Sequence, residues 1–166
     1  MKRILAISVL MFACVAATFG QVSATATATA TIVTPIAIAN ASNMNFGNVA
    51  VNATPGTVLL APAGTRTATA GVTLPAVTGT VSAATFTVAG TPGATYSITL
   101  PAGTNTITDG TNNMTVGTWT STPATTGTLT GGTETLRVGA TLNVGGGQPA
   151  GVYVSGTPFT VTVNYN

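Results

Sequence analysis

Once the first twenty residues are set aside, only Arg66, Asp109, Glu134 and Arg137 carry charge in this 166-residue chain. Histidine is absent, and the single cysteine, Cys14, falls in the part set aside, as does Lys2. Acid–base or nucleophilic catalysis needs a positioned His, paired carboxylates, or a Lys or Cys of shifted pKa. Asp109 and Glu134 are far apart in sequence, and nothing activates the many hydroxyls, so no enzyme is expected. No nitrogen or sulfur ligand set exists for a catalytic metal, and no cofactor is expected. Asp109-Gly-Thr-Asn-Asn could offer oxygens to calcium, but one carboxylate makes a weak site, and this composition belongs to tight turns. Gly145-Gly-Gly has no Lys and no helix start after it, which makes it a hairpin loop and not a phosphate cradle. Two isolated arginines cannot replace phosphate counterions, which excludes nucleic acid as a partner, and polybasic membrane docking fails on the same count. Trp119, between Thr118 and Thr120, is the one side chain that could stack on a sugar ring; the competing reading is that it fills the core.

The segment set aside has its own logic. Lys2 and Arg3 precede an apolar run over 4–15, and small residues follow. This is the layout of a secretory signal peptide over residues 1–20, with cleavage after Ala17 or after Gly20, and it is short for a membrane span. Export across the inner membrane follows. The remaining chain has no cysteine, so apolar burial and not disulfides must hold it together.

Threonine, alanine, glycine and valine dominate, while the helix-favouring Glu, Lys, Gln and Arg are scarce. The fold class is therefore all-β in one domain, and the spacing of turn residues suits a sandwich. Strands are expected near 32–39, 57–60, 67–74, 84–88, 95–100, 114–120, 134–144, 151–154 and 159–165. Turn clusters lie at 52–56, 90–93, 109–113 and 145–149. In the last strand Phe159, Val161, Val163 and Tyr165 share one face, and the polar Thr160, Thr162 and Asn164 share the other.

The stretch ATATATATIVTPIAIA, residues 24–39, alternates more strictly than any other. Val22, Ala24, Ala26, Ala28, Ala30 and Ile32 fall on one face, and Ser23 with four threonines on the other. Thr34 and Pro35 break the register, which divides an extension over 21–31 from a domain over 32–166. An alanine row gains little from burial, at about 0.8 kcal/mol per CH₂-sized group, and alanine is a poor strand former. Such a segment needs a ready-made groove. Val22 and Ile32 would be its larger anchors.

IVTPIAIANASNMNFGNVAV, AATFTVAGTPGATYSITLP and GVYVSGTPFTVTVNYN together resemble an uncharacterised bacterial surface-domain family related to the spore coat protein U family and to archaic chaperone–usher pilins. The marks are Asn45-Phe46-Gly47, Phe86 followed by Gly90, Gly151-x-Tyr153, and Tyr165 next to last. The resemblance implies an immunoglobulin-like sandwich lacking one strand, which a periplasmic chaperone fills until the extension of the next subunit replaces it. It implies a donor strand over 22–32 and an acceptor groove beside 159–165. It further implies an outer-membrane usher, a head-to-tail homopolymer, and a structural, cell-surface filament (pilus or fimbria) of a Gram-negative bacterium. The alternative is a monomeric secreted domain, adhesive or carbohydrate-binding, whose extension folds back on itself. The two differ in whose sheet residues 22–32 complete.

Overall fold

The computed structural model describes residues 20–166, and the chain divides into two units, residues 1–32 and 33–166. Apart from Gly20, the expected signal peptide lies outside the described residues. Residues 20–32 form no helix or strand, and the side chains of Val22 and Ile32 are 97% exposed.

The second unit is built from strands β1 (Ala37–Ser42), β2 (Ala50–Leu60), β3 (Arg66–Thr73), β4 (Ala84–Ala89), β5 (Thr95–Thr99) and β6 (Asn105–Thr108). They are followed by β7 (Asn113–Thr122), β8 (Thr126–Thr128), β9 (Thr133–Val144), β10 (Val154–Ser155) and β11 (Thr162–Tyr165). All pairings are antiparallel. An eight-stranded sheet runs β1-β4-β9-β7-β6-β10, with β2 also on β9 and β3 on β2; a three-stranded sheet runs β11-β5-β8. The two sheets pack as a sandwich.

Strand β9 is the spine. Leu136, Val138, Ala140, Leu142 and Val144 are buried, while Thr133, Thr135, Arg137 and Asn143 face outward, the period-two pattern of a strand with one wet face. Its first half feeds a core cluster with Ala84, Val88, Tyr96, Leu129, Val161 and Val163. Its second half joins Val58, Val72 and Val116, covered by Phe46, Val49, Val51 and other half-buried side chains.

Departures from strict alternation have local causes. The cluster at 52–56 is not a turn. It is a bulge inside β2, where the register jumps from Val51 opposite Val72 to Gly56 opposite Ala70. Pro55 has no N–H to offer a ladder, and Asn52 Oδ1 takes the Thr54 N–H at 2.7 Å instead. Gly71 lies under this bulge, where a Cβ would strike the Thr54 carbonyl. The first strand begins at Ala37 and not at 32, because Thr34 and Pro35 interrupt it. The runs at 151–154 and 159–165 shorten to Val154–Ser155 and Thr162–Tyr165. Two strands that the alternation does not announce, β6 and β8, complete the sheets.

Candidate functional site

Strands β1 and β11 are edges of different sheets, and they meet on the same side of the sandwich. Strand β1 pairs only with β4, and β11 only with β5. Ile36 and Ile38 from the start of the domain pack against the same cluster as Phe159, Val161, Val163 and Tyr165. The expected apolar face is thus brought together: Val161 and Val163 are each only 8% exposed, and Phe159 and Tyr165 are half-buried.

Hydrogen-bond parity shows where the backbone of these edges points. In an antiparallel pair, alternate residues turn both N–H and C=O toward the partner. Asn166 N–H donates to the Thr95 carbonyl, and the same register places Asn164 opposite Ser97 and Thr162 opposite Thr99. Thr162 and Asn164 therefore bond to β5, and Val161, Val163 and Tyr165 direct their backbone groups away from it. On the other sheet, Gly90 N–H donates to Gly132 O in register with β4–β9, which turns Thr87 and Ala89 toward β1. Their partners Ala39 and Ala37 bond to them, so Ile36, Ile38 and Asn40 direct their backbone groups outward. Among the described residues no strand takes up either set. Two rows of open backbone valences, accompanied by half-buried Ile36, Ile38, Phe86, Phe159 and Tyr165, lie on this side of the sandwich.

The two edges are tied at one end. Tyr165 Oη accepts the Thr91 N–H at 2.7 Å and donates to the Thr34 carbonyl at 2.7 Å, and Thr91 Oγ1 donates to the same carbonyl at 3.3 Å. Gly90 leaves room for this, since a Cβ there would meet the Tyr165 hydroxyl. Strand β11 runs toward the tied end and β1 away from it. Neither Thr34 nor Thr91 was legible as a site residue, because their contributions are a main-chain carbonyl and a main-chain N–H.

Trp119 sits near the other end. A bulge in β7, between Gly117 and Thr120 with Thr118 at φ 49°, reverses the alternation set by buried Val116 and swings Trp119 inward. Its ring packs on both core clusters, its centroid lies 4.6 Å from that of Phe159, and its indole N–H donates to Gly103 O at 2.7 Å. With Pro101, Asn105 and Pro158 it also lines a surface cleft of about 220 Å³.

The remaining resemblance marks are structural. Asn45 Oδ1 accepts the Gly47 N–H at 2.8 Å, and Gly47 adopts φ 67°. Arg66 donates to the carbonyls of Phe46 and Asn48, which accounts for one of the two cations. Tyr153 donates to Pro149 O at 2.9 Å.

The Asp109 turn is as expected. Asp109 Oδ1 accepts the N–H groups of Asn112 and Thr111 at 2.6 and 2.8 Å, and Oδ2 accepts the Asn112 amide at 3.0 Å. These bonds, the Asn112 backbone bond foremost, hold its carboxyl well below the usual range. Tyr96 is shifted the other way. Its buried hydroxyl has no partner of good hydrogen-bond geometry and lies beside the Glu134 carboxylate. Burial first, then that neighbour, push its ionisation well above the ordinary tyrosine value. The signs follow. The depressed Asp109 contributes stability present above its unfolded value near pH 4 and lost below it; the raised Tyr96 contributes stability present below about pH 10 and lost above it. With no His, Lys or Cys beyond residue 20, the unfolding midpoint should stay level from about pH 5 to 9 and fall outside that window. A calorimetric series in pH checks this, and a midpoint that drifts across neutrality would contradict it.

Residues 36–165 match the family described as a domain of unknown function (DUF4402). No curated protein and no solved structure matches the chain.

Proposed function

Since the chain belongs to the DUF4402 family and its sandwich carries two open edges on one side, we propose that it is a structural subunit of a bacterial surface filament, joined head to tail by strand exchange. The observation that carries this is the parity: Ile36, Ile38 and Asn40 on one side and Val161, Val163 and Tyr165 on the other offer unpaired backbone groups to the same space. A strand seated there gains ladder hydrogen bonds on both sides, and alternate side chains fill the slot between the sheets. The occupant is the segment over 22–32 of a second copy, whose apolar face is a row of methyl groups between Val22 and Ile32. Donation from one copy to the next does not close on itself, so it builds a fibre. By resemblance, a periplasmic chaperone covers the edge beforehand, and an outer-membrane usher of a Gram-negative cell carries the fibre out. The adhesive alternative rests on Trp119, whose N–H is bonded to Gly103 O and whose ring packs on Phe159.

The test compares the protein starting at Gln21 with a form starting at Ile32, by electron microscopy and thermal unfolding. The longer form should give head-to-tail oligomers or fibres. The shorter form should be monomeric, melt lower, and regain stability when a 21–31 peptide is added. A longer form that stays monomeric, together with a shorter form indifferent to the peptide, would overturn the proposal.

A further inference from the structure

Resting on that reading, we propose that Tyr165 is a positioning residue: its hydroxyl, seated on Thr91 and holding the Thr34 carbonyl, fixes the two edges relative to one another and so preforms the acceptor. A strand that bonds to both edges at once needs their relative position held fixed. If the edges drift, one ladder forms at the expense of the other, and ordering them is charged against binding.

The structure supplies one side chain that reaches from edge to edge. Tyr165 belongs to β11, the last strand of the small sheet, and Thr34 lies just ahead of β1, the first strand of the large one. The phenolic oxygen makes two bonds of 2.7 Å, one to Thr91 just past β4 and one to Thr34 just ahead of β1, which fixes the ring tip in direction as well as distance. The Thr91 hydroxyl adds a second, weaker donor to the same carbonyl at 3.3 Å. Gly90 beside it has no side chain to displace the ring, and a Cβ would also crowd Leu129. The backbone N–H and C=O of Tyr165 itself are among the open groups of the acceptor edge. One residue therefore both ties the two edges and offers backbone groups to a strand added there.

The experiment uses the whole chain from Gln21, as wild type, Tyr165→Phe and Thr91→Val, each titrated in concentration by sedimentation velocity. Backbone hydrogen exchange is followed at Ala37, Ala39 and Asn164, the bonded amides of the two edges. Tyr165→Phe keeps the ring and loses the tie. It should remain folded, require about 10-fold higher concentration to oligomerise, and exchange faster at those three amides in the monomer. Thr91→Val, which removes only the longer bond, should shift assembly about 2-fold in the same direction. A hydroxyl of merely structural value would lower the melting point of the monomer and leave the assembly constant where it was; that result overturns the inference. So does Thr91→Val that assembles like wild type, should Tyr165→Phe fail to fold. A wild-type chain that never oligomerises is a different failure, since it removes the strand-exchange reading on which the inference rests.

Discussion

Replacing Ala28 with Asp should abolish oligomer formation, while replacing the adjacent Thr27 with Asp should leave it nearly unchanged. Ala28 falls on the methyl face of the extension and Thr27 on the hydroxyl face, and a seated strand turns only one of them toward the sheets. A carboxylate at position 28 would enter the slot among Ile36, Ile38, Phe159 and Val163 with no cation to meet it. Arg66 is committed to the carbonyls of Phe46 and Asn48, and Arg137 lies exposed on the outer face of β9 between inward Leu136 and Val138. An uncompensated buried charge costs about 3 kcal/mol or more, a loss of at least about 100-fold in affinity. At position 27 the new charge stays in water, where substitutions usually fall within about 0.5 kcal/mol. Both residues are exposed in the unpartnered chain, so neither variant should move the monomer's unfolding midpoint. Light scattering across a concentration series reads assembly, and calorimetry reads the monomer. Equal tolerance of both changes, or equal loss with both, would mean that the alternation of this segment does not select a face.

Residues with a strict period of two were legible, and those whose direction depends on a partner's backbone were not. Val161 and Val163 could be assigned inward from Phe159 to Tyr165 alone, because no other register puts all the large side chains on one face. Nothing in GTWTST told that Trp119 turns inward, since the inversion needs Thr118 at positive φ opposite β9. The Asn-Ala-Thr-Pro-Gly run carries every mark of a turn. It stays within β2 because Gly71, distant in sequence, leaves space beneath it. Strand β8 was hidden for a related reason: Gly127 reads as a loop residue, but there it clears the Tyr96 ring and the Glu134 carboxylate, which also accepts the Thr128 N–H at 2.8 Å. At the two open edges, the side chains facing inward were readable from alternation. The open valences were not, because parity is set by Gly90 against Gly132 and Asn166 against Thr95, contacts between distant residues.

The parity itself predicts opposite outcomes for proline at two successive positions of β1. Ala39 and Asn40 are both exposed, so neither replacement removes core volume. Ala39 turns its N–H toward Thr87 of β4, and Asn40 turns its N–H to the open side. Ala39→Pro deletes a ladder bond and sets the proline ring against the neighbouring strand, which should cost the domain about 2–4 kcal/mol. Asn40→Pro deletes a donor that no described strand uses, the placement in which edge strands accept proline, and should cost less than about 1 kcal/mol. The order reverses when strand uptake is measured. Asn40→Pro takes away one of the N–H groups that would meet an incoming strand and narrows the approach on that side, so assembly should weaken about 10-fold in a protein that is otherwise folded. Chemical denaturation of the two variants gives the first comparison, and their oligomerisation at a temperature where both are native gives the second. Should Asn40→Pro unfold the domain as readily as Ala39→Pro, the side of β1 taken as open is in fact bonded. Should it fold and assemble like wild type, β1 is not an acceptor edge, and a neighbour's strand would have β11 alone to pair with.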